Sequence, residues 1–183
     1  MYSKINNGDK SNIFTRTNSI CPPPEEVLLD RVLTNETDQL ETIVNEKLLK
    51  YLYPDHSKPI LLIACTAKEV EARTVKLLID LGADVRYQDE NQWEALHYAA
   101  ERADYFVLKV IIDKLKERKF HLNEVLAQGS NALHILIRHG NKNSKDFVKC
   151  AKLLIDEGIN VNLADNKMIT PILWAAKKDL DII

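Results

Sequence analysis

The stretch LLIDLGADV at residues 77–85 is nearly copied further along the chain, as LLIDEGINV at residues 153–161. Two leucines, an Ile-Asp pair, a glycine and a short alternating tail recur in the same order. Paired leucines of this kind are typical of the core-facing side of a helix. A glycine directly after such a helix favours the left-handed backbone that ends it. The duplication therefore predicts that the chain contains copies of one helical unit.

A second stretch recurs at a nearly fixed period. Its copies are KPILLIA at 58–64, EALHYAA at 94–100, NALHIL at 131–136 and TPILWAA at 170–176. The spacing between successive copies is nearly constant when they are aligned on Ile60, Leu96, Leu133 and Ile172. The first three are each followed by a second apolar stretch of helical character, which starts at Val75, Val107 and Cys150. One unit is thus a pair of helices, and the chain is predicted to be a stack of such pairs.

Local signals mark the ends of these helices. Thr170 followed by Pro171 is typical of a helix start, because the hydroxyl accepts from exposed N–H groups and proline fits the first turn. An extended segment with a tight turn is expected after Gly82 and Gly158. Small residues in the first helices are expected to allow close approach of a neighbour, and they are Ala64, Ala99, Ala100, Ala175 and Ala176.

The composition is that of a helical, non-secreted protein. The chain has 183 residues, of which 45% are hydrophobic, so it can bury a core. Its net charge of −2 argues against the positive surface that usually binds nucleic acid or an anionic membrane. The three cysteines form no CxxC pair, which suits a reducing compartment. The N-terminus has no apolar signal segment, and no run approaches the roughly 18 apolar residues of a membrane span. A cytoplasmic protein without direct membrane contact is predicted.

The repeated unit resembles the ankyrin repeat family, whose signature T-P-L-H-x-A recurs about every 33 residues. LHYAA at 96–100 and LH at 133–134 are similar to the centre of that signature, and LLIDLGADV is similar to its second half. The resemblance covers residues 56–183, and residues 25–52 as a degenerate first copy. It implies an all-α solenoid of stacked helix-turn-helix units joined by short hairpin loops.

The predicted organisation is a disordered tail followed by one repeat domain. The tail is 1–21, and the units are a capping copy at 22–55, repeats at 56–88, 89–125 and 126–164, and a truncated repeat at 165–183. In the capping copy TDQLETIVNEKLLKYL is expected to form one helix, with charged outward positions. The tail is either merely solvated or carries a docking motif or phosphosite at Thr15, Thr17 or Ser19.

The units depart from a regular repeat at three places. CTAKEVEAR at 65–73 and RHGNKNSKD at 138–146 add residues between paired helices. These are either tolerated loop insertions or, for GNKNSKD at 140–146, a binding edge. The third unit lacks the terminal glycine and continues through DKLKERKFHLNEV, which is expected to lengthen its second helix by a turn. KLKERK at 114–119 is interpreted as the solvated face of that helix rather than as a nucleic-acid site.

The last unit is expected to be incompletely covered. Apolar residues of its first helix and beyond would have little to pack on, namely Ile172, Trp174, Ile182 and Ile183. A solenoid that ends this way leaves an apolar face exposed. We therefore expect the sequence to be an N-terminal fragment of a longer protein.

No pattern predicts a catalytic, cofactor or metal site, so the chain is predicted not to be an enzyme. No H-x-x-x-H or CxxC spacing is present, and neither is a glycine-rich phosphate loop or a G-x-S-x-G motif. Cys65 and Cys150 are interpreted as small core residues rather than nucleophiles. The resemblance implies that the imidazoles of His97 and His134 bind the adjacent hairpin.

The family resemblance implies that a partner protein is bound by hairpin tips and by the first helices. The corresponding tip residues are Glu90, Asn91, Trp93, Ala127, Gln128, Ser130, Asn166, Lys167 and Ile169. The corresponding positions of the first helices are Glu101, Arg102, Arg138, His139, Lys177 and Lys178. Trp93 either contacts the partner, since Trp and Arg dominate interface energetics, or folds back onto a neighbouring tip. Trp174, inside a first helix, is expected in the core.

The predicted function is a non-catalytic protein–protein interaction module of the adaptor, scaffold or inhibitor type. It would bind a peptide segment or domain of another protein, with no cofactor and no nucleic acid. Two alternatives remain. The chain could be the cytosolic N-terminal array of a TRPA-type cation channel, whose repeats it resembles faintly; it is also faintly similar to germ-cell adaptors with ankyrin repeats before a SAM domain, which belong to the adaptor type. It could also target a catalytic domain that follows it.

Overall fold

The computed structural model describes residues 22–38, 40–123, 128–140 and 142–178. These residues form ten helices, which are α1 (Pro24–Leu33), α2 (Leu40–Ile43), α3 (Glu46–Leu49), α4 (Ile60–Thr66), α5 (Ala72–Asp80), α6 (Ala95–Arg102), α7 (Tyr105–Glu117), α8 (Ala132–His139), α9 (Phe147–Asp156) and α10 (Pro171–Lys177). Within the described ranges there is no strand. Seven residues singled out from the sequence lie outside them, and these are Thr15, Thr17, Ser19, Cys21, Ala127, Ile182 and Ile183.

The helices pack in two rows. An inner row consists of α4, α6, α8 and α10, each in contact with the next, and an outer row consists of α5, α7 and α9. Helices α4, α6 and α8 also pack against their own outer partners, and α1 packs against α2, α3 and α4. This arrangement confirms the predicted all-α solenoid of stacked helix pairs. No helix of the described ranges combines the length and apolarity needed to cross a membrane.

One continuous apolar core runs through the stack. The position on which the repeats were aligned is fully or almost fully buried in three units, at Ile60, Leu96 and Leu133. Burying one such side chain stabilises a fold by about 1.5–3 kcal/mol, so each unit depends on its neighbours. The alanines expected at close helix approaches are buried at Ala64, Ala99, Ala100 and Ala175.

The last inner helix differs from the others in burial. Ile172 and Leu173 are 51% and 54% exposed, as the incomplete cover of this unit predicted for Ile172. Ala176 is also exposed, so its predicted role in a close helix approach is wrong. Trp174 is half-buried at the edge of the core, an outcome between the predicted core position and the predicted lack of cover. Helix α10 packs against α8, and that contact covers only part of its apolar surface.

The outer helices end in the same way whether or not a glycine is present. Gly82 and Gly158 have φ of 104° and 84°, which confirms the predicted left-handed ends. Lys119 takes the equivalent position in the third unit with φ of 59°. In these three units the next N–H bonds the carbonyl five residues earlier, at 2.9, 3.1 and 2.8 Å respectively. Helix α7 has 13 residues against 9 and 10 for α5 and α9, so the predicted lengthening is confirmed.

The predicted single helix over TDQLETIVNEKLLKYL is wrong. Its apolar residues form two short helices, α2 and α3, separated at Val44 and Asn45. The backbone of Asn45 is extended, and its side-chain oxygen accepts from the Leu48 N–H at 3.0 Å. Asparagine is a preferred residue at a helix start because its side chain bonds the first N–H groups. The apolar periodicity of the sequence continues across this break, so periodicity alone does not reveal the break.

Candidate partner-binding surface

The hairpin tip before α6 is organised by one carboxylate. Asp89 Oδ1 accepts from the backbone N–H groups of Asn91 and Trp93, both at 2.9 Å. The Asp89 N–H donates to the Trp93 carbonyl at 3.0 Å and closes the turn. The second oxygen, Oδ2, accepts from the Tyr98 hydroxyl on α6. Asp89 therefore fixes the tip and ties it to the inner helix.

The tip before α10 repeats this arrangement at Asp165. Its Oδ1 accepts from the N–H groups of Lys167 at 2.9 Å and Ile169 at 3.0 Å, and its Oδ2 accepts from Trp174 Nε1 at 3.0 Å. Burial of Asp165 favours the neutral acid, but the hydrogen bonds from Ile169, Trp174 and Lys167 outweigh it, so its pKa lies below the usual value. The structural role of both aspartates was missed from the sequence, although each stands at the same distance after one copy of the duplicated stretch.

Trp93 packs back onto the inner helices. Its ring centroid lies 5.0 Å from that of Tyr98 and 6.3 Å from that of His97, both on α6. It also lies 6.4 Å from the ring of His139 at the end of α8. Trp93 therefore does not stand alone at a tip, nor does it rest on a neighbouring tip. It bridges two units and remains half-exposed.

A second aromatic group lies one unit further along. The Arg138 guanidinium lies 4.9 Å from the centroid of the Trp174 ring, and Lys177 Nζ lies 5.2 Å from it. Lys178 Nζ donates to the Arg138 carbonyl at 2.5 Å. Cations over an indole face are attracted by its negative π-surface, and this holds both side chains close to the ring.

These contacts form a continuous surface across three units. We call it the aromatic–basic strip, and it consists of Trp93, His139, Arg138, Trp174, Lys177 and Lys178. Partial burial lowers the pKa of His139, and the nearby charges of Arg138 and Lys178 lower it further.

Two residues expected in the partner-binding set face the interior instead. The Arg102 side chain is 6% exposed, and it donates to the carbonyls of Ala67 and Val70, both at 2.6 Å, and to Asp104 Oδ2 at 2.8 Å. Ser130 is fully buried, and its hydroxyl accepts from Arg138 at 3.4 Å. Arg102 binds the carbonyls that follow α4, and Ser130 supports Arg138. Neither presents a side chain to solvent.

The remaining predicted residues lie at or near the surface. Glu90, Asn91, Gln128, Asn166 and Lys167 are exposed at the tips, and Ile169 is half-buried. Glu101 is half-buried on α6, where burial raises the pKa of its carboxyl. Adjacent tips are joined by the Asn166 N–H, which donates to the Gln128 carbonyl at 2.9 Å.

His134 has the role that the family resemblance implied. Its Nε2 donates to the Ile169 carbonyl of the next hairpin at 3.1 Å. Because a carbonyl can only accept, Nε2 carries a proton, and in the neutral ring Nδ1 accepts from the Asn131 N–H at 3.2 Å. His97 is buried at the equivalent position, and its Nδ1 accepts from the Glu94 N–H at 3.4 Å.

The cysteines of the described ranges have the environment of core residues. Cys65 and Cys150 are both buried, and burial raises the pKa of each thiol to about 12. A thiol with so high a pKa is almost entirely protonated near neutral pH and is a poor nucleophile. Their interpretation as small core residues is confirmed.

The chain is similar to known ankyrin repeat proteins. The human protein called Ankyrin repeat, SAM and basic leucine zipper domain-containing protein 1 is 27% identical over 135 residues, which are 73% of this chain and 26% of that protein. Its counterpart in Loxodonta africana is 24% identical with the same coverage. An ankyrin repeat protein of Acanthamoeba polyphaga mimivirus is 27% identical and is covered over 98% of its length. The chain spans about a quarter of the length of the mammalian relatives.

Two family models describe the repeats directly. The model for ankyrin repeats in three copies matches residues 40–121, and the model for many copies matches residues 96–155. The two matches together extend over more than half of the chain. Ankyrin repeats generally serve as protein–protein interaction modules. With its paired helices, its repeated hairpins and these matches, the chain belongs to the ankyrin repeat family.

Proposed function

We propose that the chain is a non-catalytic module that binds another protein through the aromatic–basic strip. The observation that carries the proposal is the contact series from Trp93 through His139 and Arg138 to Trp174. Trp and Arg are the residues most enriched where alanine substitution costs most binding energy at protein interfaces.

The rigidity of the strip supports this proposal. The Trp174 indole is fixed by its hydrogen bond to Asp165, and the Trp93 indole is fixed by packing on the Tyr98 ring, so both are ordered in the unbound chain. Binding to a surface that is already ordered avoids the entropy cost of immobilising side chains. The tip residues Glu90, Asn91 and Lys167 are exposed, and in this proposal they form a polar rim around the strip.

We favour an adaptor or scaffold over the N-terminal array of a TRPA-type channel. The mammalian relatives are named for ankyrin repeats together with a SAM domain and a basic leucine zipper, and that combination supports an adaptor. In this proposal the module works in the cytoplasm and contributes no catalytic group.

Capture from a cell extract, repeated with matched variants, tests the proposal. The chain of residues 1–183 is immobilised and compared with a Trp93→Ala, Arg138→Ala double variant. Phe106→Ala is the control, because Phe106 is a 66% exposed aromatic residue on the outer helix α7. We expect the control to retain specific partners that the double variant loses. Equal capture by all three proteins, with unchanged circular dichroism, would reject the strip as the binding site.

A further inference from the structure

The basic side chains of the strip have no acidic partners in the described part of the chain. Salt bridges there engage many other cations, among them Lys50, Arg73, Lys76, Arg86, Arg102, Lys109, Lys114, Lys116 and Lys149. None of the ion pairs found among the described residues involves Arg138, Lys177 or Lys178. Arg138 and Lys177 face the same indole ring instead.

Arg138 lies in α8, Lys177 lies in α10 and Lys178 directly follows α10, and the composition of these two helices adds to the excess of positive charge. Neither α8 nor α10 contains an acidic residue. Among the described residues, Asp165 lies in the same unit as Trp174, but it is buried and its carboxylate already accepts three hydrogen bonds from that unit. Lys167 is exposed at the adjacent tip and adds a further positive charge. Among the described residues, positive charge is thus concentrated at one end of the inner row, although the whole chain has a net charge of −2 and Asp179 and Asp181 of the sequence lie outside those residues.

We propose that the strip binds a short acidic peptide segment of a partner protein. Its carboxylates would lie along Arg138, Lys177 and Lys178, and its apolar side chains on the exposed parts of Trp93 and Trp174. The inference rests on the proposed function and adds the chemical class of the ligand. Complementary charge of this kind sets the specificity and the association rate of a complex.

The surroundings of the strip favour a peptide over a nucleic acid. Glu90 is exposed at the tip beside Trp93, and Glu101 is half-buried on the neighbouring inner helix. A continuous polyanion that followed the inner row would meet both carboxylates, whereas a short peptide can end before them. Proteins that bind nucleic acid usually present a longer basic surface and a positive net charge.

Selection from a random linear peptide library displayed on phage tests the inference with the full chain. We expect selected peptides to be rich in Asp and Glu with interspersed apolar residues. Binding of the strongest one should weaken about tenfold in the Arg138→Gln, Lys177→Gln, Lys178→Gln variant, since exposed charge pairs each contribute a fraction of a kcal/mol to about 1 kcal/mol. The control variant is Lys47→Gln, Lys68→Gln, Lys152→Gln, which removes the same charge from exposed positions elsewhere. It should bind as the parent does.

His139 supplies a second readout that does not depend on affinity. A bound carboxylate should raise its pKa, because the lowering by Arg138 and Lys178 is then partly offset. The ring proton shifts of His139 in NMR titrations with and without the selected peptide measure this change. The pKa of His139 should be higher with the selected peptide than with the same peptide carrying Asn and Gln for Asp and Glu, because both peptides bury the ring alike. Equal pKa values in the two saturated complexes would contradict placement of acidic residues on the strip.

Other outcomes separate this inference from the proposed function. Selected peptides without acidic enrichment that still lose binding on Trp93→Ala would overturn the acidic ligand and leave the binding surface intact. Acidic peptides that bind the triple variant and the parent equally would place the site elsewhere. An oligothymidylate that displaces the peptide and binds more tightly, with loss in the same triple variant, would replace the peptide by nucleic acid.

Discussion

Trp174 Nε1 donates to Asp165 Oδ2 at 3.0 Å, so a hairpin carboxylate orients an aromatic side chain of the inner row. The Tyr98 hydroxyl donates to Asp89 in the same way, at the equivalent tip of an earlier unit. In both units the other carboxylate oxygen binds two backbone N–H groups of the tip. The shape of each tip and the position of an aromatic ring are therefore coupled through one aspartate.

Asp165→Asn is expected to destabilise the last unit by about 1–3 kcal/mol, the usual cost of leaving a buried polar group unsatisfied. An amide has one acceptor oxygen and one donor nitrogen. An NH₂ group cannot accept a hydrogen bond, so one set of N–H groups loses its acceptor in either orientation of the amide. This set is the indole N–H of Trp174 in one orientation and the N–H groups of Lys167 and Ile169 in the other. Urea unfolding monitored by tryptophan fluorescence measures the loss.

Asp55→Asn is the matched control for this substitution, because Asp55 is exposed in the first hairpin. Its free energy of unfolding should stay within about 0.5 kcal/mol of the parent value, as is usual for surface substitutions. If Asp165→Asn changed stability no more than Asp55→Asn does, the coupling of tip and ring through Asp165 would be refuted.

Lys119→Gly is expected to stabilise the chain by about 0.5–1 kcal/mol. Lys119 has φ of 59°, where a side chain costs energy that glycine does not incur. The reciprocal change, Gly158→Ala, should destabilise by about 1 kcal/mol through backbone strain alone, because an added Cβ would meet no atom within 4 Å. Thermal unfolding of both variants checks the pair. A destabilised Lys119→Gly would show that its side chain contributes contacts that outweigh the strain.

The stack itself could be predicted from the sequence, because the buried apolar residues recur at the same position of each repeated unit. Leu96 and Leu133 occupy the same position of successive units, and each must be covered by its neighbour, so a fixed period implies a stack. The left-handed end at Lys119 could not be predicted in this way. There a lysine takes the left-handed backbone that glycine takes at the other two ends, so the residue type carries no signal of the turn.

Arg102→Ala is expected to cost about 2–4 kcal/mol, because it removes the guanidinium donors to the carbonyls of Ala67 and Val70 and to Asp104 Oδ2. Arg102→Lys should recover little of the loss, since one ammonium group cannot reach the several acceptors that the planar guanidinium reaches. Urea unfolding measures the stability of both variants. Full recovery by lysine would show that the charge alone matters at this position.

The candidate surface was less predictable than the fold, and Arg102 shows why. Arg102 and His139 occupy equivalent positions of successive inner helices, directly after Glu101 and Arg138. Arg102 turns inward because the loop after α4 offers it carbonyl groups, whereas His139 packs beside Trp93 and stays exposed. A repeat register locates a position, but the residues of the neighbouring loop decide the direction of its side chain.

His134 should make the stability of the chain fall as the pH is lowered from neutrality. Burial lowers its pKa in the folded chain below the ordinary value near 6.5. Between the two values the unfolded chain binds more protons than the folded chain, so the free energy of unfolding decreases with falling pH. Its contribution is complete above about pH 6.5 and is lost as the pH falls toward the folded-state pKa.

Urea unfolding between about pH 5 and 8 isolates this contribution when two glutamine variants are compared. His134→Gln is expected to be less stable at every pH, because the bond to the Ile169 carbonyl is lost, but its stability should depend less on pH. The slope difference cannot exceed about 1.4 kcal/mol per pH unit, the limit for one proton. His56→Gln, at an exposed position of the first hairpin, is the control for the substitution itself and should stay within about 0.5 kcal/mol of the parent at neutral pH. Parallel curves for the parent and His134→Gln would show that His134 binds protons equally in the folded and unfolded chains.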